Sequence, residues 1–140
     1  MKREVLIRLE GEQRYENQQP DIIELTTEGL LSREDGKLFL SYEETALTGL
    51  AGTTTIFEIE DRRVTLRRTG AVSSVMEFAV GQTHKSLYET PMGALLMTVC
   101  AQKVENHMDE SGGNLTVTYD ITIEDLGVGQ IEYRLSVTPL

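Results

Sequence analysis

The sequence predicts an all-β protein, a closed antiparallel meander β-barrel of about eight to ten strands. Three features carry that expectation. Apolar residues recur with a period of two through almost the whole chain, the mark of strands with one buried face. No stretch keeps the 3.6-residue period of a helix for long. Turn residues separate the alternating runs at short intervals, so successive strands pair antiparallel. A meander of that length curls and closes, which removes the edges that invite aggregation.

Val5, Ile7 and Leu9 alternate at the start of the chain. Further strands are expected over about 22–30, 37–44, 53–60, 63–69, 74–80, a short one over 86–90, and 94–106. The clearest alternation is NLTVTYDITIED, in which Leu115, Val117, Tyr119, Ile121 and Ile123 point one way while Thr116, Thr118, Asp120, Thr122 and Glu124 point the other. QIEYRLSVT repeats it with Ile131, Tyr133, Leu135 and Val137. Turns fall at Glu34-Asp35-Gly36, which holds the Asp-Gly hairpin signal, at Glu60-Asp61-Arg62, at Ser111-Gly112-Gly113-Asn114 and at Gly127-Val128-Gly129.

A length of 140 residues suits a single domain, 1–140, with one hydrophobic core. Cys100 is the only cysteine, so no intramolecular disulfide forms, as a reducing compartment permits, and a buried apolar thiol is expected. MKREVLIRLEGE lacks the apolar core of a secretion signal, and no window approaches the roughly 20 apolar residues of a membrane span. The expectation is a soluble, cytoplasmic protein with no membrane partner. A net charge of -10 excludes a general affinity for nucleic acid, because polyanion binding depends on concentrated Lys and Arg. Locally, RRVTLRR at 62–68 is basic, whereas the stretch from Val104 onward is rich in carboxylates with Arg134 as its base. That contrast suits either a protein partner or cross-strand charge pairing on a solvated exterior.

HKSLYETPMG at 84–93 is the most reactive-looking stretch. If His84, Ser86 and Tyr88 are extended they share a face, but a rise of about 3.3 Å per residue sets alternate backbones nearly 7 Å apart. That is a poor setting for a Ser-His hydrogen bond of about 2.6–3.2 Å. No G-x-S-x-G elbow surrounds Ser86, and Thr90-Pro91-Met92-Gly93 reads as a break. The stretch is therefore expected to be a strand, with no catalytic role. Glu105, His107 and Asp109 alternate and could face one side as metal ligands, but no second His or Cys pair supports zinc. Glu124 and Asp125 lack an EF-hand loop, and LTGLAGTTT lacks the Gly-Lys-Ser/Thr ending of a phosphate loop. No metal site or cofactor is assigned.

In RRVTLRRTG, Val64 and Leu66 should face inward, which sets Arg62 and Arg68 at the two ends of the same inward row. An inward arginine must find an anion or a dense set of acceptors, since unpaired burial costs several kcal/mol. Glu43 or Glu44 is the expected partner, with a ligand as the alternative.

SYEE at 41–44, LRRTGAV at 66–72, MEFAVG at 76–81, LYETPMG at 87–93 and LTVTYDI at 115–121 together resemble the YwiB-like family of uncharacterised bacterial proteins, nearly end to end. The resemblance implies a calycin-like (lipocalin-like) barrel in a cytoplasmic bacterial protein. It brings no established activity, substrate or catalytic residue. The chain departs from the lipocalin pattern in having no tryptophan, so ligand binding by that analogy rests on fold alone. A barrel of about eight strands is either filled or holds one small ligand, and Phe57, Met76, Phe78, Met97, Tyr119 and Tyr133 suit either. The function expected is non-enzymatic binding of a small, partly apolar or anionic molecule in the barrel mouth, near Tyr42, Arg68, Tyr88 and Tyr119. The alternative is a filled, structural barrel whose charged exterior meets a protein partner.

Overall fold

Alternation and turn chemistry together fold this chain as ten consecutive antiparallel strands. The computed structural model describes residues 1–15, 18–124 and 128–140, and of Val128 only the backbone. The strands are β1 (Lys2–Tyr15), β2 (Asp21–Glu34), β3 (Lys37–Glu43), β4 (Thr53–Ile59), β5 (Val64–Gly70), β6 (Ser74–Phe78), β7 (Thr83–Thr90), β8 (Gly93–Asp109), β9 (Gly112–Ile123) and β10 (Val128–Pro139). Between β3 and β4 lies one turn of 3-10 helix, Ala46–Thr48, capped by the Thr45 side chain and closed by Gly49 at φ 77°. Among the described residues no helix is long and apolar enough to cross a membrane.

Every strand pairs with its sequence neighbour except at β6 and β7, and the first strand pairs with the last, giving the order β6-β5-β4-β3-β2-β1-β10-β9-β8-β7. The β1–β10 ladder runs from Val5 opposite Pro139 to Tyr15 opposite Gly129. The barrel is nearly closed. Its seam lies between β6 and β7, where one bridge, Ser73 with Glu89, carries reciprocal backbone bonds of 2.9 and 2.8 Å. At the other end of the seam, the Glu77 amide donates to Nδ1 of His84 at 3.3 Å instead of to a backbone carbonyl. His84 thus closes the wall with its side chain, which answers the question its neighbourhood raises: HKSLYET is strand β7, and its histidine serves as a seam. Pro91 and Met92 form the two-residue turn of the hairpin that follows, with Thr90 opposite Gly93.

Strand parity fixes which side chains fill the barrel. Val5, Ile7, Leu31, Leu40, Phe57, Leu66, Phe78 and Leu115 are buried from seven different strands, and every second residue faces out. Each such side chain contributes roughly 1.5–3 kcal/mol of burial. At the end of the barrel that carries the β2–β3 and β4–β5 turns, Leu38 and Ile59 are buried at the base of a polar depression lined by Arg33, Lys37, Glu60, Arg63 and Asn106. At Gly29 the wall leaves no room for a side chain, because an added Cβ would meet the Ser41 carbonyl and the Ile7 Cδ1. The expected strands are all present, with extensions: β7 begins at Thr83, and β8 runs to Asp109 with a bulge between Ala101 and Lys103.

Two expectations need correction. Arg62 does not share the inward row of Arg68: β5 begins at Val64, and Arg62 sits exposed in the preceding turn, where parity has no hold. Cys100 is half-buried on the outward row of β8, opposite Thr83 and Asp120, because the buried parity there belongs to Val99 and Ala101. Glu105, His107 and Asp109 do share one face of β8, but each is exposed, and no three potential metal-ligating side chains gather among the described residues. The expected turn residue Gly127 and the acidic Asp125 lie outside the described residues.

Candidate ligand site at the barrel mouth

The opposite end of the barrel, which carries the β3–β4 connection, opens into a cavity of about 300 Å³. Its walls are built by register. Tyr42 of β3 lies opposite Thr55 of β4, Thr55 opposite Arg68 of β5, and Arg68 opposite Ser74 of β6. The Ser73–Glu89 bridge then brings Ser74 level with Tyr88 of β7. Five consecutive strands thereby present a belt of inward polar side chains just where alternation would otherwise supply Val or Leu. Thr53, Thr55, Ser74 and Glu44 are buried on this same side. The facing wall comes from β1, β2 and β8–β10 and is mostly apolar, with Leu9, Ile23, Met97, Ile121, Ile123 and Ile131 set among Gln13 and the rings of Tyr15, Tyr119 and Tyr133. The mouth is amphipathic because the polar and apolar strands form two contiguous halves of one ring.

All five tyrosines of the chain, Tyr15, Tyr42, Tyr88, Tyr119 and Tyr133, line this mouth. Two of them rest against glycines across the β1–β10 ladder. Gly11 faces Tyr133 and Gly129 faces Tyr15, and a Cβ on either glycine would crowd the opposing ring, at 3.3 Å for Gly11 and 2.5 Å for Gly129. From the barrel floor the rings of Phe78, Tyr119 and Tyr133 follow one another upward, with centroids 4.4 and 6.0 Å apart.

Arg68 is the cation of the mouth. Its side chain is 12% exposed, and its Nε lies 3.9 Å from Oε2 of Glu44, whose side chain is 2% exposed. Glu44 is held independently: Thr48 Oγ1 donates to Oε1 at 3.1 Å and Thr55 Oγ1 to Oε2 at 2.7 Å. At 3.9 Å the Arg68 Nε has no hydrogen bond, and it is buried without a partner, as are the hydroxyls of Ser74 and Ser86. Burial works against the Arg68 charge, but the facing phenols of Tyr133, Tyr119 and Tyr42 more than offset it, and the guanidinium stays protonated. The reach from β5 to Glu44 is the pairing anticipated for this arginine. The other option, Glu43, points outward and accepts from Thr54 Oγ1 instead. Arg67, one residue earlier, faces solvent and pairs with Glu58 at 3.3 Å.

Burial raises the pKa of Tyr42 well above its ordinary value, with the Glu44 carboxylate adding to the effect. Burial, with Tyr133 adding, does the same for Tyr119. For a group whose pKa is higher in the folded state, the stabilisation is complete below the unfolded value, about 10 for tyrosine, and is lost as the pH rises beyond it. Stability should therefore fall on the alkaline side of about pH 10, with phenolate absorbance for Tyr42 and Tyr119 emerging only together with unfolding. Two early-titrating phenols attributable to these residues in native protein would refute that assignment.

Tyr42, Arg68, Tyr88 and Tyr119, singled out from the sequence, are thus brought together at one mouth. Tyr15, Thr55 and Ser74 were not singled out. Extending the inward parity of Val5, Ile7 and Leu9 along β1 reaches Tyr15, so that signal was present. For Thr55 and Ser74 nothing in the sequence distinguishes a polar residue facing a cavity from one facing water.

Residues 7–135 match the family model described as Domain of unknown function (DUF1934). The uncharacterized beta-barrel protein YwiB of Bacillus subtilis (strain 168) is 27% identical over 105 residues, spanning 75% of this chain and 72% of that protein. The crystal structure of the ywiB protein from Bacillus subtilis superposes with a TM-score of 0.82 at 20% identity, covering 96% of this chain and 92% of that one. That likeness supports the ten-stranded barrel as a fold and carries no activity with it. With the family model spanning nearly the whole barrel, from β1 to β10, the chain belongs to the DUF1934 family of β-barrel proteins whose function is unknown.

Proposed function

We propose that this protein is a non-enzymatic binding module whose barrel mouth takes up a small, partly apolar molecule with a polar end. The observation that carries this reading is the division of the mouth into a polar half, β3–β7, and an apolar half, β1, β2 and β8–β10, around a space of about 300 Å³. Such a volume stands at the small end of ligand pockets, roughly 300–1,000 Å³. A barrel filled purely for stability has no use for a belt of inward hydroxyls and a guanidinium, since buried polar atoms without partners cost free energy. The two histidines favour binding over catalysis: Nδ1 of His84 is engaged by a backbone amide, and His107 is exposed on the outer face of β8.

Native mass spectrometry of protein purified from its own organism is the direct test. The expected spectrum contains a non-covalent adduct of low mass that is lost on denaturation and absent from the Arg68→Met variant. Apo protein alone, together with no binding of amphipathic probes, would remove the proposal. A docking role for the basic β4–β5 turn has less behind it, because Arg68 is turned into the barrel beside Glu44 and the exposed Arg67 is paired with Glu58, leaving Arg62 and Arg63 as the exposed bases of that segment outside an ion pair among the described residues.

A further inference from the structure

We infer that the polar end of the ligand is a single carboxylate, bound between β5 and β6 by Arg68 and Ser74, with its tail directed toward the apolar wall of β1, β2 and β8–β10. This rests on the reading of the mouth as a ligand site and adds the chemical class. Four buried polar atoms among the described side chains have no hydrogen-bond partner, and three of them, Arg68 Nε, Ser74 Oγ and Ser86 Oγ, belong to inward residues of the consecutive strands β5, β6 and β7. Arg68 and Ser74 are direct cross-strand partners. The unmet capacity includes a guanidinium donor and a hydroxyl that can also donate, which together suit an acceptor-only, planar anion.

The sign and size of that charge follow from Glu44. Its carboxylate is 2% exposed and already accepts from Thr48 and Thr55, so it offers little to a cationic ligand. It also sets a local negative charge 3.9 Å from the guanidinium, in a chain of net charge -10. Arg68 and Glu44 together are neutral, so the head group sets the net charge of the belt, and a single negative charge is the least costly anion there. A phosphate dianion would add a second negative charge against the same carboxylate with no second cation on the belt. Tail selection then falls to Met97, Ile121, Ile123 and Ile131 on the facing wall. Methionine and branched aliphatic residues take up flexible alkyl chains without directional demands.

The chain has no tryptophan, and all five tyrosines line the mouth, so tyrosine fluorescence reads occupancy directly. Decanoate, decanol and decyl phosphate share a tail and differ in head group, and each is titrated into wild-type protein and into Arg68→Met, Arg68→Lys and Ser74→Ala at neutral pH. Decanoate is expected to bind at least about tenfold more tightly than either of the others, in line with one charge-assisted hydrogen-bonded pair. Arg68→Met should reduce decanoate to the affinity of decanol while leaving decanol unchanged. Arg68→Lys should keep part of the preference, and Ser74→Ala should lose about three- to tenfold for decanoate alone. Ser74→Ala is a small change at a buried site and keeps the test open should an Arg68 variant fail to fold. Decanol binding as tightly as decanoate, or decyl phosphate binding more tightly, would overturn the carboxylate assignment and leave the mouth as a ligand site. An unchanged decanoate affinity in folded Ser74→Ala and Arg68→Met would overturn the assignment of its location. Binding of none of the three probes would overturn both readings.

Discussion

Arg68→Ala is expected to lower the free energy of unfolding by about 2–3 kcal/mol, whereas Arg67→Ala should stay within roughly 0.5 kcal/mol. The two residues are adjacent, and strand parity sends them to opposite sides of the wall. Arg67 is 44% exposed beside Glu58, where a solvated pair adds little. Removing Arg68 leaves Glu44 at 2% exposure with no cation within 4 Å among the described residues. Loss of one partner of a buried pair commonly costs about 3–5 kcal/mol, and the lower figure here reflects the two threonine hydroxyls that continue to hold the carboxylate. Arg68→Met keeps the packing of the stem and should recover part of the loss. Urea midpoints for the three variants, with unchanged slopes, decide the matter. Equal midpoints for the two alanine variants would mean that Arg68 does not neutralise Glu44, and the electrostatic account of the mouth would fail with it.

A larger loss, about 3–5 kcal/mol, is expected for Phe78→Ala. Phe78 is fully buried at the end of β6, opposite Val64, with its ring 4.4 Å from that of Tyr119. Its removal leaves a void under Tyr119 in a close-packed interior, and the cost follows from the lost burial and the residual cavity. Against a total stability of about 5–15 kcal/mol for a natural domain, such a loss approaches unfolding. Phe78→Leu should cost distinctly less, since most of the volume remains. The floor of the mouth is the Phe78–Tyr119 contact, so a surviving Phe78→Ala protein should also accept longer alkyl chains than wild type. A loss below about 1 kcal/mol would show that Phe78 is not a supporting member of the core.

The sequence by itself determined the strands and their sides. Alternation from Val5 to Leu9, along LTVTYDI and along QIEYRLSVT sorts inward from outward residues locally, with no reference to the rest of the chain, because side chains of a strand point to opposite faces in turn. The Asp-Gly and Gly-Gly turns do the same for connectivity. Arg68 as an inward cation, and Tyr42, Tyr88 and Tyr119 as inward phenols, follow from that parity. Where a strand had not yet begun, parity gave the wrong answer, as for Arg62 in the turn before Val64. Parity also cannot say what lies across the barrel. The belt from Tyr42 through Thr55, Arg68 and Ser74 to Tyr88 depends on the register of three strand pairs and on closure at Ser73 and Glu89. The choice of Glu44 over Glu43 depends on the chain's leaving β3 toward the mouth with Glu44 on the inner side. Closure is legible in a meander of this length, but the way it is made was decided in three dimensions, where β6 and β7 are joined by the Ser73–Glu89 bridge and by a histidine side chain that the sequence presents only as one polar residue among several. Only the tertiary structure unites the polar strands on one half of the ring and the apolar strands on the other, because that division exists only once the sheet has curled and each strand's inward row is set beside its neighbours'.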